Sequence, residues 1–167
     1  MLQLTLVRHA KAAPAARPGA DFPRQLDARG RREAASMALR AQQLGLRPDF
    51  LFASAAARTL ETAEAFARAL AIAPARRNFD ERLYLADRDT LLELVRTAPR
   101  DCRHAMLVGH NPGISRLAAG LAGDEDTAEL PTAGLYGVGF DGQSWRDIGW
   151  HSGVATLLEV PGRKQGE

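Results

Sequence analysis

The chain has 167 residues, 46% of them hydrophobic and 25% charged, which suits one globular domain spanning 1–167 with a sizeable core. Its formal charge of +2 comes from arginines scattered along the chain rather than gathered in a block, which argues against nucleic acid as a partner. The single cysteine, Cys102, excludes an internal disulfide framework and any multi-cysteine metal site, and no apolar run approaches the ~18 residues of a membrane span, so a soluble, unprocessed cytoplasmic protein with no membrane partner is expected.

Leu2 to Val7 reads as a strand. Lys11 to Leu26, with Pro14, Pro18, Gly19 and Pro23, reads as a structureless connection, far longer than the usual ~4–6 residues. Asp27 is expected to cap a helix to about Leu44, stopped by Gly45, whose basic face at Arg29, Arg31 and Arg32 is solvated. Asp49 to Ala53 is a second strand; Ser54 then caps a helix to about Leu70, and Asp87 caps another that ends before Pro99. Ala105 to Val108 is the next strand, with Asn111 as cap and Pro112 as first residue of the following helix. Gly134 to Phe140, Trp145 to Trp150 and Ala155 to Val160 read as later strands, the first two as a hairpin around Asp141-Gly142, and the tail from Gly162 to Glu167 as frayed. Short apolar runs alternating with longer amphipathic stretches indicate an α/β layer fold.

In such folds ligands sit outside the carboxyl ends of the strands, and three segments deliver polar groups there. Arg8 and His9 follow the first strand. Arg58 lies near the start of the second helix and leans back toward its N-terminus. His110 ends the LVGH strand immediately before a helix start, where free N–H groups and the helix dipole favour an anion. This set suits a phosphoryl group: guanidinium forks donate paired hydrogen bonds to its oxygens, and a neutral imidazole can attack phosphorus to form a phosphoramidate. Arginines nearby favour that neutral form.

LVRHA (Leu6–Ala10), the SAAARTLETA helix with Arg58, and VGHNPG (Val108–Gly113) resemble the histidine phosphatase superfamily, and the compact size and RHA-type first motif resemble its SixA-type branch. The resemblance implies a phosphoglycerate mutase-like fold, a three-layer α/β/α sandwich with a mostly parallel central sheet. It implies His9 as nucleophile, Arg8, Arg58 and His110 as the phosphate clamp, and a site with neither metal nor cofactor. Arginines beside the two histidines, with no carboxylate at ligand spacing, agree with the absence of a metal. The common first motif ends in glycine, so Ala10 is expected to bring a methyl near the phosphate-binding backbone.

Glu81, in FDERLYLAD, matches the general acid of the mutase branch; the alternative is surface pairing with Arg82 or Arg77. Asn111 and, in PTAG, Thr132 are expected to line the pocket. Asp21 and Arg24, in DFPRQL, are candidates for substrate contact, with solvated loop charges the simpler reading. His104 and His151 read as structural or exposed, Cys102 as a strand-edge residue, and Trp145 and Trp150 as sheet packing. Three functions follow: a phosphatase for protein phosphohistidine, a phosphatase for a small phosphate ester such as a sugar phosphate or nucleotide, which Glu81 favours, or a non-catalytic module that binds phosphorylated partners.

Overall fold

The computed structural model describes residues 1–162; residues 163–167, where the tail was expected to fray, lie outside the described residues. Strand β1 (Leu2–Arg8) has neighbours on both sides and helices on both faces, which is why it reads as a nearly continuous apolar run. Leu2, Leu4 and Leu6 enter one core and Val7 the other. Helix α1 (Ala28–Gln43) starts where the Asp27 carboxylate accepts the Gly30 N–H at 2.7 Å. It ends before Gly45, whose φ of +75° few other residues tolerate.

The chain continues through β2 (Phe50–Ser54), α2 (Ala57–Ala69), β3 (Arg77–Asp80), α3 (Arg88–Val95), β4 (His104–Gly109), α4 (Gly113–Ala122), β5 (Leu135–Phe140) and β6 (Val154–Glu159). The six strands form one sheet in the order β3-β2-β4-β1-β5-β6. The first four run parallel, β5 is antiparallel to β1, and β6 is antiparallel to β5. Met37 and Ala38 of α1 and Phe66 of α2 pack on Val7, Leu51 and Met106. Leu91 of α3 and Ile114 and Leu117 of α4 pack against Leu4, Phe52 and Leu107 on the opposite face. The result is the expected three-layer α/β/α arrangement around a mixed sheet.

Several boundaries differ from expectation. Ser54 does not cap α2: it is the last residue of β2, and Ala56 holds the cap position with no side-chain hydrogen bond. Likewise Pro112, not Asn111, stands at the cap of α4, because the Asn111 amide is spent on Leu130 and Ser115. The Asn111–Pro112 peptide is cis. Trp145–Asp147 forms a 3₁₀ turn rather than a strand; its indole N–H donates to the Cys102 carbonyl at 2.8 Å, which folds the segment over the core, and β5 pairs with β6 instead. Cys102 is fully buried in that core rather than at a strand edge. Trp150 packs not on the sheet but against Arg88, 4.8 Å from guanidinium carbon to ring centroid. Strand β3, with the polar sequence RNFD, was not anticipated. The Lys11–Leu26 connection is pinned at its base by an antiparallel bridge between Ala12 and Leu26.

β1 and β4 are neighbours, yet α1 leaves β1 on one face and α4 leaves β4 on the other, so the strand ends part at a topological switch point. The start of antiparallel β5 opens on the same edge. Among the described residues no helix is long and apolar enough to cross a membrane.

Candidate active site

His9 leaves the end of β1, its backbone N–H donating to the Gly109 carbonyl at 3.0 Å and so joining two strand ends. Its Nδ1 lies 2.7 Å from the Ala10 carbonyl. A carbonyl only accepts, so Nδ1 carries the proton and Nε2 keeps its lone pair. The residue is 9% exposed. Burial lowers its pKa to about 4, and the charges of Arg58, Arg8 and Arg24 push the same way against the hydrogen bond to Ala10. His9 is therefore neutral at ordinary pH.

The other sequence-predicted groups converge on it. The His110 ring centroid is 5.3 Å away. Burial, with Arg58 and His9 adding to it, lowers the His110 pKa to about 3. His110 Nε2 is 2.7 Å from the Ser54 hydroxyl, which itself accepts the Ala56 N–H. Ser54 is fully buried, and donating to Nε2 is what satisfies its hydroxyl proton; His110 then carries its own proton on Nδ1. That Nδ1 is buried without a partner, and so is Arg8 Nε. Arg8 is anchored by one amino group, which donates to the Leu130 carbonyl at 3.0 Å. An oxyanion would satisfy both orphaned donors, since each presents an N–H in a site where desolvation is otherwise uncompensated.

Arg58, the second residue of α2, is 3% exposed. Its two amino groups donate to the Asp21 carbonyl at 2.9 Å and to Asp21 Oδ2 at 3.0 Å. A guanidinium has five N–H bonds, so three remain for a ligand. Asp21 Oδ1 accepts from Arg24 at 3.0 Å, and Oδ2 also accepts the Tyr84 hydroxyl. Asp21 and Arg24 are thus part of the cluster, which corrects the simpler reading of solvated loop charges. The Tyr84 hydrogen bond, with Arg58 and Arg24 assisting against desolvation, holds the Asp21 carboxyl below the usual carboxylate range. Tyr84 stands edge-on to His110, with centroids 5.5 Å apart. Tyr84 and Ser54 were missed; the Tyr84 signal was present in the same FDERLYLAD stretch that drew attention to Glu81.

Glu81 itself is exposed at the start of a 3₁₀ turn after β3; its backbone carbonyl accepts the Tyr84 N–H at 3.0 Å, but among the described residues no side-chain hydrogen bond ties its carboxyl to the cluster. Its expected surface partners are engaged elsewhere, Arg82 with Asp80 and Arg77 with Glu64. Asn111 donates to the same Leu130 carbonyl as Arg8 and accepts from Ser115, so it helps fix the acceptor that anchors Arg8. Thr132 is half-buried in the turn before β5, next to Ala133, whose N–H donates to the carbonyls of Arg8 and His9. Ala10 departs from expectation: its methyl lies inside the α1–α2 core and its N–H donates to the Thr62 hydroxyl at 3.0 Å, so it intrudes on no phosphate. Among the described residues no three His, Cys, Asp or Glu side chains form a group that could hold a metal ion.

Two neutral imidazoles, one with a free Nε2 lone pair, beside two guanidinium groups with unspent donors, can bind a phosphoryl group and attack it. The family model of the histidine phosphatase superfamily (branch 1) matches residues 4–86, which run from β1 through Tyr84. The uncharacterized protein ML1117 of Mycobacterium leprae (strain TN) is 30% identical over 168 residues, covering 93% of this chain and 99% of that one. A crystal structure provisionally assigned as the phosphohistidine phosphatase SixA of Agrobacterium tumefaciens is 29% identical, with a TM-score of 0.81 over 96% of this chain and 98% of that one. Two more distant structures share the fold. One is the protein histidine phosphatase SixA complexed with tungstate, at 19% identity and TM-score 0.80 over 96% and 97% of the two chains. The other is mycobacterial glucosyl-3-phosphoglycerate phosphatase, at 16% identity and TM-score 0.67 over 96% and 98%. Sequence, fold and relatives agree, and the chain belongs to the histidine phosphatase superfamily as one of its phosphatases.

Proposed function

We propose that the protein removes phosphate from histidine residues of other proteins, without a metal, through a phosphorylated His9. His9 Nε2 forms a bond to phosphorus while the P–N bond of the substrate breaks and its electron pair returns to the substrate imidazole. Arg8 and Arg58 neutralise the equatorial oxygens, and His110 Nδ1–H donates to one of them. Water then attacks the phosphorus of phospho-His9; the P–Nε2 pair returns to His9, and both protons of the water leave with inorganic phosphate.

The observation that carries the substrate class is the state of the carboxyl within hydrogen-bond reach of the cluster. Asp21 accepts from Arg58, Arg24 and Tyr84 and is held ionised, so it is poorly suited to protonate a leaving alkoxide. An imidazole protonated at its far nitrogen needs no such donor, because it departs as a neutral molecule. The similarity to the SixA structures supports the same reading.

The test compares a phosphohistidine-bearing protein domain with glucosyl-3-phosphoglycerate and phosphoserine, using wild type and His9→Ala with a chelator present. Turnover of the phosphoprotein that is lost in His9→Ala and indifferent to the chelator is expected. Preference for an ester would establish the second enzymatic reading and return Glu81 to the role of acid. Binding of the phosphoprotein without any turnover would establish the non-catalytic module.

A further inference from the structure

We propose that Asp21 selects the leaving group: its carboxylate accepts the far N–H of a phosphoimidazole and keeps that ring protonated while the P–N bond breaks, and it disfavours substrates with negative charge next to the phosphorus. The inference rests on the phosphohistidine reading above.

Its position carries the argument. The carboxylate is 3.0 Å from the Arg58 guanidinium, so it borders the phosphate clamp itself. A second bond from Arg58 to the Asp21 carbonyl, at 2.9 Å, fixes the backbone of the Lys11–Leu26 excursion at the same guanidinium. With Arg24 and Tyr84 as further donors, the group is both ionised and immobile. A carboxylate accommodates about four acceptor bonds. Oδ2 already receives two and Oδ1 one, while the side chain remains 38% exposed, which leaves an acceptor site open to whatever enters. Phe22, the next residue, packs edge-on against Tyr84 with centroids 4.9 Å apart, so the acceptor stands beside an aromatic wall that suits a flat ring.

Charge decides which substrate gains. A fixed anion beside the clamp repels an incoming phosphate, and the repulsion is offset only when the substrate carries a cationic or N–H donor group near phosphorus. Phosphoimidazole with a protonated far nitrogen does. When the P–N bond breaks, its electron pair goes to the near nitrogen while the proton stays on the far one, so neutral imidazole leaves and Asp21 ends as it began, a carboxylate. An ester with a carboxylate close to its phosphate meets Asp21 as a like charge.

The experiment measures kcat/KM for phosphoimidazole and for p-nitrophenyl phosphate, whose leaving phenolate needs neither a proton nor an N–H acceptor, with wild type, Asp21→Asn and Asp21→Glu. Both activities fall in Asp21→Asn, because Arg58 loses an anionic partner. The inference predicts that the phosphoimidazole activity falls further, lowering the ratio of the two by about tenfold to a hundredfold, the size expected for losing a charge-assisted hydrogen bond. Asp21→Glu, which keeps the charge, restores most of that ratio. An equal fall on both substrates would overturn the proposal, leaving Asp21 as a support for Arg58 alone. A wild type with no turnover of phosphoimidazole or of a phosphohistidine domain would instead overturn the reading on which it rests. Turnover of p-nitrophenyl phosphate shows in every case that the variant is folded.

Discussion

Strand β4 carries a histidine at each end, and the two ends are chemically unlike. His104 opens the strand and His110 follows its last residue; both are buried, and burial lowers both, to about 4 and about 3. His104 Nε2 is paired with the Thr5 hydroxyl at 2.8 Å, and the charge felt there is the carboxylate of Asp49. His110 faces Arg58 and His9, with Nδ1 unpartnered. A depressed imidazole pKa therefore does not mark a site by itself, because burial is its largest cause at both ends. What separates a site from a structural contact is convergence of cations around nitrogen atoms the protein leaves unsatisfied.

Removing the cations should erase the difference between the two ends. Arg58→Lys keeps the charge but loses the fork that binds Asp21 and the phosphoryl oxygens together; kcat/KM should fall about 10²–10³-fold, as for other lost transition-state donors. Arg58→Ala should do the same and, by removing one of the charges that disfavour protonated His9, raise the pH at which activity is lost on the acid side. Steady-state kinetics across pH 4–8 reads both effects, and a rate within threefold of wild type in Arg58→Lys would remove Arg58 from the clamp.

A subtler change leaves the cations alone and frees the nitrogen. Ser54→Ala takes away the hydroxyl that directs the His110 proton to Nδ1. The ring can then place its proton on either nitrogen, and a loss of about tenfold in kcat is expected from one weakened hydrogen bond in the transition state. Nitrogen chemical shifts of the His110 ring provide the check, moving from one neutral tautomer to a mixture. Unchanged shifts with reduced activity would mean that Ser54 acts through the strand end rather than through the tautomer.

The extent to which sequence exposed this site follows from the range of its contacts. Arg8, His9, Arg58 and His110 were legible because each ends an apolar strand or opens a helix, and local pattern locates such ends. Ser54 was read as a cap because Ser before a helix usually is one; its hydroxyl instead serves a residue 56 positions away. Asp21 and Tyr84, 63 positions apart, meet only after the Lys11–Leu26 excursion folds back over α2, and nothing local announces that closure. The same holds for the fold. Asp27 and Asp87 were correct caps because a cap is a four-residue event. β3 escaped because an edge strand of Arg, Asn, Phe and Asp gains its order from pairing with β2 rather than from apolar alternation. The Trp145 segment has strand composition, yet the indole bond to Cys102 turns it across the core.

The opposite end of β4 gives the smallest effect on turnover and the clearest effect on stability. His104 has a folded pKa near 4 against about 6.5 unfolded, so between these values the unfolded chain binds more protons than the native one. The stability this group contributes is present above pH 6.5 and is lost as pH falls through that window toward 4. His9 and His110 add to the same loss, because burial lowers them as well. His104→Gln keeps a hydrogen-bonding partner for Thr5 and removes the titration. Denaturant unfolding between pH 4 and 7 should then show a slope of stability against pH smaller by about one proton, while kcat/KM at neutral pH stays within about twofold, since the substitution lies at the far end of the strand from His9. A large loss of turnover in His104→Gln would show that the two ends of β4 are coupled, and the distinction between a buried histidine and a working one would have to be drawn along the whole strand rather than at its tip.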